Sequence, residues 1–428
     1  MQTLTIQSDH ALNGETSVPG DKSLSHRAVM FGGLLAHGRS HVKGWLRAGD
    51  TVATLRTVQA LGITIKEIGE NELIIHGTSA RQPEGMLNLV NAGTGIRLLA
   101  GIMVGQPFAS VLDGSEQLRR RPMKRIITPL RLMGAEINGV DDRAPLHIQP
   151  SPLTGIRYEM PVASAQVKSA VILAALFANG ETTIIQPGPA RDHTEVMLGA
   201  MGANITVEGD CITVGQSDHL APFEITVPGD FSSAAFPMVA ACIVPGSEVT
   251  LRHINLNPTR TGLLDALLMM GAQIDVVLTG TEAGEPVGDI HIRYAPLRGV
   301  DIGGDLVVRM IDEFPALMVA ALCAEGTTIV REAQELRVKE TDRIAVMADE
   351  LRKLGAEIAE TADGFSINGP QKLTGATVHA HDDHRIAMSM TIAGLVAVGQ
   401  TQVEDAQCAA DSFPGFAQTL AHLGADVG

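Results

Sequence analysis

A short phrase recurs six times along the chain and constrains its fold more than any other feature: Leu or Met, then Gly, usually Ala, then a branched apolar residue two positions later. It reads LGITI from Leu61, MGAEI from Met133, MGANI from Met201, MGAQI from Met270, LGAEI from Leu354 and LGADV from Leu423. The glycines are Gly62, Gly134, Gly202, Gly271, Gly355 and Gly424, separated by 72, 68, 69, 84 and 69 residues. Each phrase follows an amphipathic stretch such as LRLM or ELRKL and precedes an alternating one such as EINGV. That order reads as helix, glycine stop, strand.

A second phrase accompanies the first. Small-residue, apolar helical stretches end at Gly38, Gly105, Gly180, Gly246, Gly326 and Gly399, each followed by a strand-like run such as TTIIQP or TTIVRE. Every unit therefore carries two helices among short strands. SVPGDKS at Ser17 to Ser23 reappears as TVPGDFS at Thr226 to Ser232, displaced by 209 residues, so the six units form two halves of three. The expected fold class is α/β (α+β) with two similar domains, residues 19–228 and residues 1–18 with 229–428. The crossovers are expected near 19–21 and 228–230, with the active site in the interdomain cleft.

Composition bounds the function. The 428 residues exceed the size of one ordinary core, and 45% hydrophobic content with 3% aromatics leaves Ala, Leu, Ile, Val and Met to fill two. A net charge of -16 argues against a nucleic-acid or anionic-membrane partner, yet a local cationic cleft remains compatible with it. Cys211, Cys242, Cys323 and Cys408 are solitary, without zinc spacing or a disulfide framework. No basic leader with an apolar stretch opens the sequence and no apolar run is long enough to span a bilayer. A soluble, cytoplasmic monomer is the expectation.

The units differ just before their apolar helices: DKSLSHR from Asp21, NAGTGIR from Asn91, SAQVK from Ser164, DFSS from Asp230, IDEF from Ile311 and DDHR from Asp382. Helix N-termini offer amide donors and a partial positive charge, so a gathering of six attracts anions. Lys22, Arg27, Arg97, Lys168, Arg191 and Arg385, with RRRPMKR from Arg119 and RVKETDR from Arg337, add fourteen basic residues to these segments. Capping alone accounts for Ser23 or Asp230 but requires neither an adjacent arginine nor the bend at Gly93 and Gly95. A polyanionic small-molecule substrate is implied.

In residues 337–343, Lys339 and Arg343 stand four apart and are expected to share a helical face, with Glu340 adjacent. Asp312 and Glu313, between Met310 and Phe314, form a second candidate site for carboxylates of altered acidity, though Glu313 also suits a cap. His26, His193 and His384 lack metal-ligand spacing and read as hydrogen-bonding supports. There is no Walker loop, and NAGTG lacks the glycine spacing of a dinucleotide site, so no metal and no cofactor is expected.

In chain order, PGDKSLSHR, NAGTGIR, RRRPM, SAQVKSA, RDHTE, IDEFP, RVKETDR and DDHRIAM resemble the signature set of the 5-enolpyruvylshikimate-3-phosphate synthases, over almost the whole chain. GDKSLSH and RDHTE are closer to the class II branch. The resemblance implies two domains of three repeats each, an inside-out α/β barrel, closing over phosphoenolpyruvate and shikimate 3-phosphate. It implies that Ser23, Arg27, Ser164, Ala165, Gln166, Arg191 and Lys339 bind shikimate 3-phosphate. Gly93, Arg121, Gln166, Arg343 and Arg385 would bind phosphoenolpyruvate, and Lys22 would touch both. Asp312 would take the proton of the shikimate hydroxyl, with Lys22 and Glu340 delivering one to the methylene carbon. Ala190 stands where relatives carry Ser or Thr, and Asp411 where another branch carries a lysine. The rival within the fold, UDP-N-acetylglucosamine enolpyruvyl transferase, commonly uses a loop cysteine, which VLDGSEQLRRRPM lacks. A non-catalytic repeat or clamp protein would have no need of Asp312, Glu340 and the clustered cations.

Overall fold

The computed structural model describes residues 2–7, 10–217 and 220–428. The chain forms two compact units. The N-terminal unit is Gly20–Val227 with Thr281–Glu285; the C-terminal unit is Met1–Pro19, Pro228–Gly280 and Pro286–Gly428.

Among the described residues there are six four-stranded sheets, three per unit. One repeat shows the rule. The strand Leu87–Asn88 leads into the helix Gly93–Met103, the strand Ser110–Asp113, the helix Lys124–Leu132 and the hairpin Glu136–Val140 with Arg143–Gln149. Leu87–Asn88 pairs parallel with Ser110–Asp113, which the intervening helix makes sterically possible, and the other pairs are antiparallel. The first sheet of the N-terminal unit takes its parallel edge from the far end of that unit, Glu224 standing opposite His41. In the C-terminal unit, the strand Leu4–Gln7 lies beside Gln400–Glu404, Leu4 opposite Val403.

The glycine phrase terminates helices as its composition predicts. Gly134 follows the helix ending at Leu132 and adopts φ +97°, a left-handed conformation in which other residues are strained. The same glycine of the other five phrases also has positive φ. The small-residue helices form the cores. Lys22–Leu34, Gly93–Met103 and Ala165–Ala175 are buried along almost their whole length, as are Phe231–Ile243, Phe314–Cys323 and His384–Gly394 in the C-terminal unit. Such helices must approach closely. A Cβ on Gly101 would lie 2.3 Å from the Ala170 carbonyl oxygen, so only glycine fits there.

A long hairpin and an additional short helix, Asp305–Arg309, together lengthen the 84-residue gap between Gly271 and Gly355. The hairpin after Gly271 has strands of 10 and 9 residues, Gln273–Glu282 and Glu285–Arg293, against 5 and 7 for the hairpin after Gly134. No helix among the described residues is long and apolar enough to cross a membrane.

Candidate functional site

Each unit gathers its own cluster at the starts of its three buried helices. In the N-terminal unit the Asp21 carboxylate accepts the Leu24 N–H at 2.9 Å and starts the helix Lys22–Leu34. Lys22 lies 2.6 Å from Asp50 in an ion pair that is part-exposed on both sides. Arg27 is buried: it donates to Thr194 Oγ1 at 2.9 Å, to the Ser23 carbonyl at 3.0 Å and to Ser169 Oγ at 3.2 Å. Ser169 and Thr194 are themselves hydrogen-bonded at 2.7 Å, so Arg27 ties three helix starts together.

The starts of the helices Gly93–Met103 and Ala165–Ala175 also meet. Ser164 caps Ala165–Ala175, and Gln166, in its first turn, accepts from Arg97 at 2.7 Å while donating to Thr94 Oγ1 at 3.0 Å. Gly93 opens its helix beside two guanidinium groups, with a virtual Cβ 2.6 Å from Arg121 Nη1 and 3.3 Å from Arg97 Nη1. Arg191 is half-buried just ahead of the helix His193–Ala200. A methyl at position 93 therefore pushes Arg121 aside. Gly93→Ala is expected to weaken the binding of inorganic phosphate at this helix start by about tenfold, because the backbone amides survive but one cation is misplaced. Calorimetric titration with phosphate checks this, and an unchanged affinity would count against it.

In the C-terminal unit the cluster centres on Arg343, which is 1% exposed. Its guanidinium reaches Asp383 at 2.9 Å and 3.2 Å, Glu340 at 2.7 Å and Asp312 at 3.3 Å. Arg385 lies 3.7 Å from the other Asp312 oxygen. Burial opposes the charge of Arg343, but Asp383, Glu340 and Asp312 outweigh it and hold the guanidinium firmly protonated. Burial likewise raises the Asp383 carboxyl, yet the attraction of Arg343 and His384 wins and its pKa falls below the usual value. Beside this set, Arg260 donates to Asp230 at 2.7 Å and to Ser232 Oγ at 2.8 Å, and Ser232 Oγ donates to the buried Glu313.

The structure corrects three expectations. Lys339 and Arg343 do not share a helical face: the Asp342 side chain accepts the Ala345 N–H, so the helix begins at Arg343, and Lys339 is extended after the 3-10 helix Gln334–Val338. Glu340 nevertheless reaches Arg343 from that loop. Glu313 stands at a helix start without capping it, because its carboxylate is taken by Ser232. Lys168 is not part of an open cationic surface; it is buried against Glu195 at 2.7 Å and donates to the Ala190 carbonyl at 3.0 Å. Within RRRPMKR and RVKETDR, Arg119 pairs with Asp113, Arg120 with Glu116 and Arg337 with Asp342.

His26 is buried and hydrogen-bonded to Thr54 at 2.8 Å; desolvation lowers its pKa to about 3, so the ring is neutral. Asp411 is exposed at the end of the 3-10 helix Ala406–Asp411, and Ala190 is buried. Sequence reasoning missed Asp50, Thr94, Ser169, Thr194 and Arg260. Asp50 had a signal, an acidic residue in the first turn of the helix Gly49–Ala60.

Comparison with known proteins adds a separate line. The family model for EPSP synthase (3-phosphoshikimate 1-carboxyvinyltransferase) matches residues 6–420. A 3-phosphoshikimate 1-carboxyvinyltransferase of Geobacter sp. (strain M21) is 50% identical over 426 residues, 98% of this chain and 99% of the relative. One from Thermodesulfovibrio yellowstonii is 47% identical over 425 residues, with 98% and 99% covered. The solved structure of EPSP synthase from Acinetobacter baumannii superposes with a TM-score of 0.91 at 43% identity, covering 100% of this chain and 99% of that one.

Proposed function

Since the chain belongs to the EPSP synthase (3-phosphoshikimate 1-carboxyvinyltransferase) family, we propose how its two residue clusters divide that family's reaction. The chain transfers the enolpyruvyl group of phosphoenolpyruvate to the 5-hydroxyl of shikimate 3-phosphate and releases phosphate, a step of aromatic amino-acid biosynthesis. The hydroxyl oxygen adds to the central carbon of phosphoenolpyruvate as the methylene carbon takes up a proton. The methyl group so formed then loses a proton as phosphate leaves, regenerating the methylene. The sequence needs one base, one acid and cations to stabilise an anionic intermediate.

In this reading the N-terminal unit's Ser23, Arg27, Ser164, Ala165, Gln166 and Arg191 hold shikimate 3-phosphate, and Gly93 with Arg121 holds phosphoenolpyruvate, Gln166 touching both. Lys22, paired with Asp50, serves both substrates and exchanges the methylene proton with Glu340. In the C-terminal unit Arg343 and Arg385 bind phosphoenolpyruvate, Lys339 binds shikimate 3-phosphate and Asp312 is the base. Both clusters act on the same substrate pair, and each unit counts as one enolpyruvyl transferase domain. The observation that carries this most directly is Asp312 between two guanidinium groups, 3.3 Å from Arg343 and 3.7 Å from Arg385. An anion binding those arginines competes with Asp312 for them and leaves the carboxylate to accept a proton.

The wording GDKSLSH and RDHTE supports a place near the class II branch, the net charge of -16 speaks against nucleic-acid and anionic-membrane partners, and four solitary cysteines suit a reducing, cytoplasmic setting. Phosphate release tests the substrate assignment. Phosphoenolpyruvate with shikimate 3-phosphate should yield phosphate, and phosphoenolpyruvate with UDP-N-acetylglucosamine should not; the reverse pattern would overturn it.

A further inference from the structure

The long hairpin Gln273–Arg293 has a tip with a separate task. Its strands belong to a sheet of the C-terminal unit, but Thr281–Glu285 belongs to the N-terminal unit. Within that unit the tip seats on the helix His193–Ala200. Glu285 Oε1 is hydrogen-bonded to His193 Nδ1 at 2.7 Å, and both side chains are 0% exposed. A Cβ on Gly284 would lie 2.9 Å from Val196 Cγ1, so the turn is packed directly against the next turn of the helix. Glu282 accepts the Thr226 N–H at 2.9 Å and fixes the tip from its other side.

What the tip holds is chemically informative. The Asp192 side chain makes no capping hydrogen bond to the helix His193–Ala200. The first residue of that helix, His193, is held by the buried Glu285. Arg191 stands two positions before His193, and Thr194, the next residue after it, receives the Arg27 Nε–H at 2.9 Å. A carboxylate buried this completely is costly unless it is paired and hydrogen-bonded, and its partner His193 lies between Arg191 and the Thr194 that receives Arg27.

We propose that Glu285 is a positioning residue for shikimate 3-phosphate: by holding His193 it sets the segment Arg191–Thr194, which presents Arg191 and receives Arg27. This rests on the reading that these two arginines hold shikimate 3-phosphate. It also gives the irregular repeat spacing a purpose, since a hairpin of ordinary length would lack this tip.

The experiment compares Glu285→Ala, Glu285→Gln and Arg191→Ala in the full chain, reading both KM values, kcat and Tm. Glu285→Ala is expected to raise the KM of shikimate 3-phosphate about tenfold, leaving kcat and the KM of phosphoenolpyruvate within about twofold. Glu285→Gln keeps an acceptor oxygen for His193 and should restore the KM, a rescue that a loss of stability alone does not produce. If the alanine variant fails to fold, Glu285→Asp, which withdraws the carboxylate by one methylene, is expected to show the same selective rise. Should Arg191→Ala raise that KM while Glu285→Ala leaves it unchanged, or should Glu285→Ala shift both KM values alike, the positioning role is overturned. If neither variant affects it, the assignment of Arg191 fails and takes this inference with it.

Discussion

Asp312→Ala is expected to lower kcat by about 10²–10⁴-fold, the range typical of losing a positioned acid or base. The fold should survive. Asp312 is one of three carboxylates around Arg343, and Asp383 and Glu340 remain at 2.9 Å and 2.7 Å to satisfy the buried guanidinium. A turnover defect without a matching fall in Tm therefore separates chemistry from stability. Asp312→Asn sharpens the test, because the amide keeps the contact with Arg343 but accepts a proton poorly. Near wild-type kcat in either variant would remove Asp312 from the role of base.

Arg343→Met should affect folding as well as activity. The methionine fills similar space, but Asp383, fully buried, and its neighbours Glu340 and Asp312 lose their common cation. Removing one partner of such a buried pair typically costs about 3–5 kcal/mol. The pH dependence identifies the cause. In the wild type the Asp383 pKa lies below its ordinary value of 3.8, so its contribution is present above about pH 4 and is lost as pH falls through the lower folded value. Without Arg343, burial acts on Asp383 with no adjacent guanidinium to oppose it and raises its pKa. Its contribution is then present at low pH and lost as pH rises. The stability deficit of the variant should accordingly be larger at pH 7 than at pH 4.5 in urea unfolding. A deficit that does not change with pH would mean that lost packing, not an uncompensated carboxylate, is responsible.

The Arg343 cluster also shows where sequence reading stops. RVKETDR read as a charged helical face, and Arg343 and Glu340 do meet, but the helix begins one turn later than the four-residue spacing suggested. A local signal was available: Asp342 precedes an apolar run and suits a cap. Lys168 is the opposite case. Nothing in SAQVKSA distinguishes a lysine aimed at a ligand from one aimed at Glu195, because the choice depends on how two helices far apart in sequence pack.

The sequence by itself determined the repeat count, the order of helix and strand within each repeat, the glycine stops and the concentration of charged and polar residues at the helix starts. These are local properties: hydrophobic period, a residue able to adopt positive φ, and a capping side chain act over a few residues. Tertiary structure alone decided which charges face each other: Lys22 with Asp50, Arg27 with Thr194 and Ser169, Arg343 with Asp383, His193 with Glu285. Such pairs join residues 28 to 167 positions apart. Only the packing of buried helices, which brings their N-termini within hydrogen-bonding distance inside each unit, selects them among the many oppositely charged or polar combinations the chain offers.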